Sequence, residues 1–136
     1  DATPNAKVML HAEGPLTVHA DRERLLRTFN NLIKNALQSV PDGRPGRVEV
    51  NVAQRGKEAL IEVRDNGAGI PTELRDRIFT PSFTTKGSGM GLGLSMVRRM
   101  IEEAGGRVWF TTSTADEGTR DEGTTFFVAL PLVGKI

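Results

Sequence analysis

The sequence predicts an α+β domain: a two-layer α/β sandwich in which a mixed, mostly antiparallel sheet carries about three helices on one face. Three observations carry that prediction. Residues 21–40 place Leu25, Leu26, Phe29, Leu32, Ile33, Ala36, Leu37 and Val40 at the three- and four-residue steps of an amphipathic helix. On either side of Gly56, Val48, Val50 and Val52, then Ala59, Ile61 and Val63, alternate with polar residues as half-buried strands do. After a second helical stretch, strands at 107–113 and 124–130 close the chain. Strands that follow one another through short turns pair antiparallel, and so few helices cover one face only.

Taken in order, residues 7–12 and 16–19 read as two short strands around the turn Glu13-Gly14-Pro15. They contain His11 and His19, the two histidines of the chain, which read as ordinary strand residues because no Asp, Glu or Cys cluster accompanies them. Asp21 is a good N-cap for the first helix, Glu23 suits its positive end, and Pro41-Asp42-Gly43 stops it. The strand ending in Val63 delivers Asp65 to a loop. Residues 72–78 form a short helix candidate opened by Pro71. A second long helix starts at about Leu92, carries Met96, Val97, Met100, Ile101 and Ala104, and ends at Gly105-Gly106. Trp109 reads as core or sheet-edge packing. The acidic repeat of residues 116–124 reads as a mobile hairpin.

At 136 residues this is one domain, 1–136, long enough to bury a core. The 18 Lys and Arg against 17 Asp and Glu leave a formal net charge of +1, which gives no ground for a nucleic-acid groove or a membrane-binding patch. Cysteine is absent, which excludes a disulfide framework and a thiolate metal site and fits a reducing compartment. No apolar run reaches the length of a membrane span and no signal peptide is visible. The chain begins at Asp1 rather than Met and is expected to be part of a longer protein.

Chemistry concentrates between Asp65 and Leu94. Asp-Asn-Gly-Ala-Gly-Ile at 65–70 and Gly-Met-Gly-Leu-Gly-Leu at 89–94 frame a polar segment carrying Phe79, Phe83 and Lys86. A glycine loop that feeds a helix N-terminus offers free N–H groups and the positive end of a dipole, which suit a polyphosphate. Two aromatics in a polar loop suggest a lid anchored on the body, and the stretch from about Phe79 to Met90 is expected to be the least ordered part without ligand. Asn31 and Asn35 lie four apart, about 6 Å along one side of the first helix. An amide oxygen there suits a hard cation without repelling phosphates. Familiar alternatives fail. Leu92 stands where the dinucleotide fingerprint needs its last glycine. There is no P-loop, no nucleophile elbow around Ser95, and no His-Arg-Asp catalytic loop.

The motifs together resemble the catalytic, ATP-binding domain of two-component sensor histidine kinases, of the superfamily shared with gyrase, the ninety-kilodalton heat-shock chaperone and mismatch-repair ATPases. Residues 31–36 are similar to the family's N box, 65–70 to its first glycine box, 78–86 to its F box, 89–94 to its second glycine box, and Gly123-Thr124-Thr125-Phe126 to its final Gly-Thr-x-Phe element. The short lid, Phe-Thr-Thr-Lys and Gln38-Ser39 look most like the nitrogen-regulation branch, since many relatives carry Lys and Tyr at 38 and 39. Asp121 stands where the final motif usually has an earlier Gly.

The resemblance implies the Bergerat fold, ATP and Mg²⁺ as cofactors, and named roles. Asn35 would hold Mg²⁺ with Asn31 beside it, and Asn31 and Lys86 would be the catalytic pair. Asp65 would accept from the adenine amino group with Thr124 in support through water. Gly67 and Gly69 would admit the nucleotide. Gly89, Gly91 and Gly93 would present amides to the phosphates, with Lys86 adding charge, and Ile70, Phe79, Thr84, Thr85, Met90, Leu92 and Leu94 complete the implied ATP contacts. The implied activity is transfer of the ATP γ-phosphoryl group to a histidine on a separate dimerisation domain, for relay to a response regulator. The domain would be cytoplasmic, in a parent that can be membrane-bound, and monomeric when isolated. Two other readings stand beside it: an ATP hydrolase of the superfamily, whose members place a Glu where this chain has Asn31, and a nucleotide-sensing module that binds ATP without transferring it.

Overall fold

The computed structural model describes residues 6–80, 90–115 and 122–133, of which residues 90–92 by backbone alone. Its elements are β1 (Lys7–Ala12), α1 (Arg22–Gln38), β2 (Arg47–Arg55), β3 (Glu58–Asp65), a single 3-10 turn (Thr72–Leu74), α2 (Met90–Glu103), β4 (Arg107–Ser113) and β5 (Gly123–Pro131). They build one five-stranded sheet in the order β1-β2-β3-β5-β4. The β1–β2 pair is parallel and the other three are antiparallel. Both helices lie on one face, α1 over β2 and β3 and α2 over β4, and they touch each other.

Local chemistry explains the ends of these elements. Asp21 caps α1 by accepting the Arg24 N–H at 3.1 Å. Gly56, at φ 62, starts the two-residue turn that sets Arg55 opposite Glu58. At the end of α2, Gly106 N–H reaches Ile101 O at 2.9 Å and Gly105 N–H reaches Glu102 O at 3.0 Å, with Gly105 at φ 84. That is a Schellman stop, and the left-handed residue is a glycine for steric reasons. Leu32 and Ala36 of α1 and Leu94, Val97 and Ile101 of α2 close over Val48, Val63, Val128 and Leu130, all buried.

The structure departs from the sequence expectation at four places. Residues 16–19 form no strand: Val18 makes one isolated bridge to Leu132, and β1 pairs in parallel with β2 instead. The helix expected at 72–78 is a 3-10 turn over Thr72–Leu74 followed by turns, so two α-helices rather than about three cover the sheet among the described residues. Leu26 and Met96, read as part of the apolar stripes, are 55% and 59% exposed, because a helix facing a sheet buries only the centre of its stripe. The helix expected from about Leu92 begins at Met90. His11 is an exposed strand residue with Nε2 3.9 Å from Glu49, and His19 lies in a loop. Trp109 packs at the sheet edge, stacked on Phe127 with ring centroids 5.3 Å apart. The lid residues 81–89 and most of the acidic repeat, 116–121, lie outside the described residues, and with them the expectations of mobility.

Candidate functional site

The site forms where the ladder between β3 and β5 ends. Asp65, the last residue of β3, points its side chain to the helix face, in phase with Ile61 and Val63, and is 5% exposed. Its Oδ1 accepts the Gly67 N–H at 2.8 Å and the Thr124 N–H at 3.1 Å. Burial raises the pKa of this carboxyl above its ordinary value, while those two N–H groups and the Ser39 hydroxyl nearby pull it down. The arrangement is a buried carboxylate held in one orientation.

Two glycines expected to admit a nucleotide are required by the protein itself. A Cβ on Gly67 would run into the hydroxyl and main-chain oxygen of Ser39, the C-cap of α1. The main-chain oxygen of Ser39 also accepts the Ala68 N–H at 3.1 Å, so the glycine loop is clamped to the helix end. Gly69, at φ 79, would set a Cβ against the Ser113 carbonyl. These contacts make the loop's position a property of the folded chain before any ligand arrives.

Thr112 of β4 joins the same corner. Its Oγ1 accepts the Ile70 N–H at 2.9 Å, lies 3.1 Å from the Gly123 carbonyl oxygen, and lies 2.8 Å from Thr124 Oγ1. Thr112 is a residue of this corner that the sequence reading passed over, and Ser39 entered that reading only through the Gln38-Ser39 pair. Nothing local marks their contacts, since each meets its partner through a residue far away in the chain. A cavity of about 610 Å³ adjoins this corner on the face of the sheet opposite the helices, where Arg47, Glu49, Arg64, Thr111 and Thr125 line it; Asn31, Asn35, Gly67 and Ile70 do not.

On α1, Asn31 and Asn35 are both half-buried. Asn35 Nδ2 is buried and has no hydrogen-bond partner among the described residues. A buried amide nitrogen without a partner among the described residues fits a group that answers to a ligand, its oxygen for a cation and its nitrogen for a phosphate oxygen. Among the described residues no three His, Cys, Asp or Glu converge on a common point. A divalent ion here would therefore be held largely by the phosphates it accompanies, as Mg²⁺ commonly is.

The remaining expected site residues are spread over several environments. Ile70 is half-buried and tied to Thr112 through its N–H. Phe79 packs into an aromatic cluster, its centroid 6.0 Å from Phe110 and 6.2 Å from Phe126, which makes it an anchor on β4 and β5. Leu94 is 2% exposed and belongs to the core. A Cβ on Gly93 would meet nothing within 4 Å among the described residues. Met90, Gly91 and Leu92 form the first turn of α2, while Thr84, Thr85, Lys86 and Gly89 lie outside the described residues.

Among known proteins, residues 20–134 match the family model described as histidine kinase-, DNA gyrase B- and HSP90-like ATPase. The chain belongs to this family. As a member of that ATPase family it is 38% identical over 115 residues to the sensor histidine kinase ZraS of Escherichia coli (strain K12), covering 85% of this chain and 23% of that protein. It is 32% identical over 136 residues to the nitrogen regulation protein NtrY of Azorhizobium caulinodans, covering 87% of this chain and 18% of that protein. The chain thus spans less than a quarter of either relative. The nucleotide-free catalytic domain of histidine kinase ThkA superposes with a TM-score of 0.78 at 32% identity, over 93% of this chain and 80% of that one. ThkA in complex with the response regulator TrrA superposes with a TM-score of 0.73 at 30% identity, over 95% of this chain and 35% of that one. The ATPase domain is of the sensor histidine kinase catalytic type, with a nitrogen-regulation kinase among its relatives.

Proposed function

We propose that this domain binds MgATP and donates the γ-phosphoryl group to a histidine on a separate helical dimerisation domain of the same parent protein, from which it passes to a response-regulator aspartate. The observation that carries the reading is the buried Asp65 carboxylate, oriented by Gly67 and Thr124 on the helix face of the sheet. An ionised carboxylate only accepts hydrogen bonds, so it reads the adenine amino group. Asn35 would hold Mg²⁺ together with the phosphates, and Asn31 stands beside it. The bound ion would neutralise phosphate charge. Lys86 and the amides of Gly89, Gly91 and Gly93 complete the phosphate contacts in this reading.

The domain supplies charge stabilisation and positioning, the two things phosphoryl transfer needs besides its nucleophile. For water it has no base, because an amide at Asn31 cannot take a proton. For its own histidines it has no route: His11 is on the outermost strand and His19 in a loop, both exposed. The acceptor must come from outside. We place the domain in the cytoplasm, monomeric when isolated; no helix among the described residues is long and apolar enough to cross a membrane.

Incubation with γ-labelled ATP tests the reading. The isolated domain is expected to bind MgATP, to hydrolyse it slowly and to remain unlabelled. Its own dimerisation domain, added in trans, is expected to become labelled on histidine. Rapid phosphate release, or acid-labile labelling of the isolated domain, would count against it.

A further inference from the structure

We infer that Thr112 is a specificity-determining residue for the nucleobase: it takes the hydroxyl proton of Thr124 and so leaves Thr124 a pure hydrogen-bond acceptor beside Asp65. The inference rests on the nucleotide reading above and deepens it.

A threonine hydroxyl has one proton to give and two lone pairs to accept with. At Thr112 all three are assigned by its neighbours. The Ile70 N–H, 2.9 Å away, only donates, so Thr112 accepts there. The Gly123 carbonyl oxygen, 3.1 Å away, only accepts, so that contact takes the single proton of Thr112. Thr124 Oγ1 lies 2.8 Å away. All three contacts are hydrogen bonds at once only when Thr124 is the donor in the last one. Its own proton is thereby committed to Thr112, and only lone pairs of its oxygen are left for a ligand.

Asp65, 5% exposed, is likewise acceptor-only when ionised, and Thr124 is bound to it through the main chain. Two adjacent acceptors with no donor between them favour a ligand edge that donates, directly or through an ordered water. An exocyclic amine satisfies them. A carbonyl oxygen in the same place leaves buried acceptors unpaired, and a site built to pair a donor rejects the analogue lacking it strongly. Thr112 does not touch the base. It acts by fixing which way a neighbouring hydroxyl points, through its own two contacts with backbone groups, the Ile70 N–H and the Gly123 carbonyl oxygen. The three partners come from the glycine loop and the start of β5, so the choice is made by the fold.

The test compares Mg²⁺ complexes of ATP and of inosine triphosphate, which carries a carbonyl oxygen where ATP carries the amine, by calorimetric titration of the domain. Wild type is expected to prefer ATP by about tenfold or more. Thr112→Val keeps the shape, removes the proton acceptor and frees the Thr124 hydroxyl to donate. The ATP preference is expected to fall severalfold, with inosine triphosphate binding as well as or better than in wild type. Thr112→Ser should restore the preference, which a merely structural role for the methyl-bearing side chain would not predict. Thr124→Val leaves the other two contacts of Thr112 in place and should also lose preference, and combining it with Thr112→Val should add nothing further. It serves as the deciding variant should Thr112→Val fail to fold. Unchanged preference in a folded Thr112→Val, or in Thr124→Val, would overturn the inference alone. Wild type binding both equally would overturn the inference alone, and wild type binding neither nucleotide would overturn the nucleotide reading and the inference with it.

Discussion

Thr124 donates its main-chain N–H to Oδ1 of Asp65 at 3.1 Å, joining two strands 59 residues apart. The ladder between β3 and β5 runs from Glu58 opposite Pro131 to Arg64 opposite Thr125. One residue further, the Asp65 side chain takes the N–H of Thr124, and its main-chain carbonyl lies where a Cβ on Gly123 would have to go. Sheet register therefore sets the carboxylate's orientation, and a slip of one residue would send it to the opposite face.

Asp65→Asn separates recognition from stability. Burial makes the folded protein hold the Asp65 proton at a pH where the unfolded chain has released it. The contribution of Asp65 to stability is therefore complete below the ordinary pKa of 3.8 and lost as pH rises through the raised folded value. Asparagine keeps the oxygen that Gly67 and Thr124 require but carries no charge. The variant is expected to melt no lower than wild type near neutral pH, its advantage shrinking as the pH falls toward the ordinary value. ATP affinity should drop about tenfold or more, as the loss of a charged hydrogen-bond partner implies. Melting curves across pH and calorimetric titration check both halves.

Asn35→Ala should abolish Mg²⁺-dependent ATP binding without weakening the fold. The substitution removes a buried donor that has no partner among the described residues and places a better helix former in α1. Stability is expected to stay level or rise by about 0.5 kcal/mol. Titration with and without Mg²⁺, beside a denaturant curve, measures both. Wild-type affinity would remove Asn35 from the metal site.

Gly67→Ala should cost about 1–3 kcal/mol, because its new methyl overlaps the Ser39 hydroxyl and the Ser39 main-chain oxygen. Adding Ser39→Gly removes the hydroxyl and the Ser39 Cβ, leaving the main-chain oxygen 2.7 Å from the new Cβ at Gly67. Partial recovery in the double variant, read from denaturation midpoints, is the expected result. Full recovery would show that the helix end yields more easily than its hydrogen bond to Ala68 implies.

Phe79→Ala should lower stability by about 2 kcal/mol, since a half-buried ring loses its contacts with Phe110 and Phe126. Equilibrium denaturation of the nucleotide-free domain measures it. An unchanged midpoint would mean that this ring anchors nothing.

Much of this molecule was legible in one dimension. The stripe on α1, the alternation in β2, β3 and β5, and the Gly105-Gly106 stop all follow from side-chain periodicity and backbone sterics within a few residues. Asp65 was identifiable at a strand end because an alternating run stops there and a glycine loop begins. Asn35 was identifiable as a polar residue at the edge of an apolar stripe.

Partner choice was not legible. Residues 16–19 alternate like a strand yet follow Gly14-Pro15, and β1 finds its hydrogen bonds 40 residues along the chain, with Lys7 opposite Arg47. Whether a short extended segment becomes a strand depends on whether an edge is free beside it, and only the assembled sheet decides that. Thr112 carries no mark of its own, and Ser39 carries only its place in the Gln38-Ser39 pair. Their roles arise because the end of α1 meets Gly67 and the end of β4 meets Ile70 and Thr124. Periodicity is a property of neighbours in sequence, whereas the direction of a hydroxyl proton depends on which donors and acceptors folding brings within 3 Å of it.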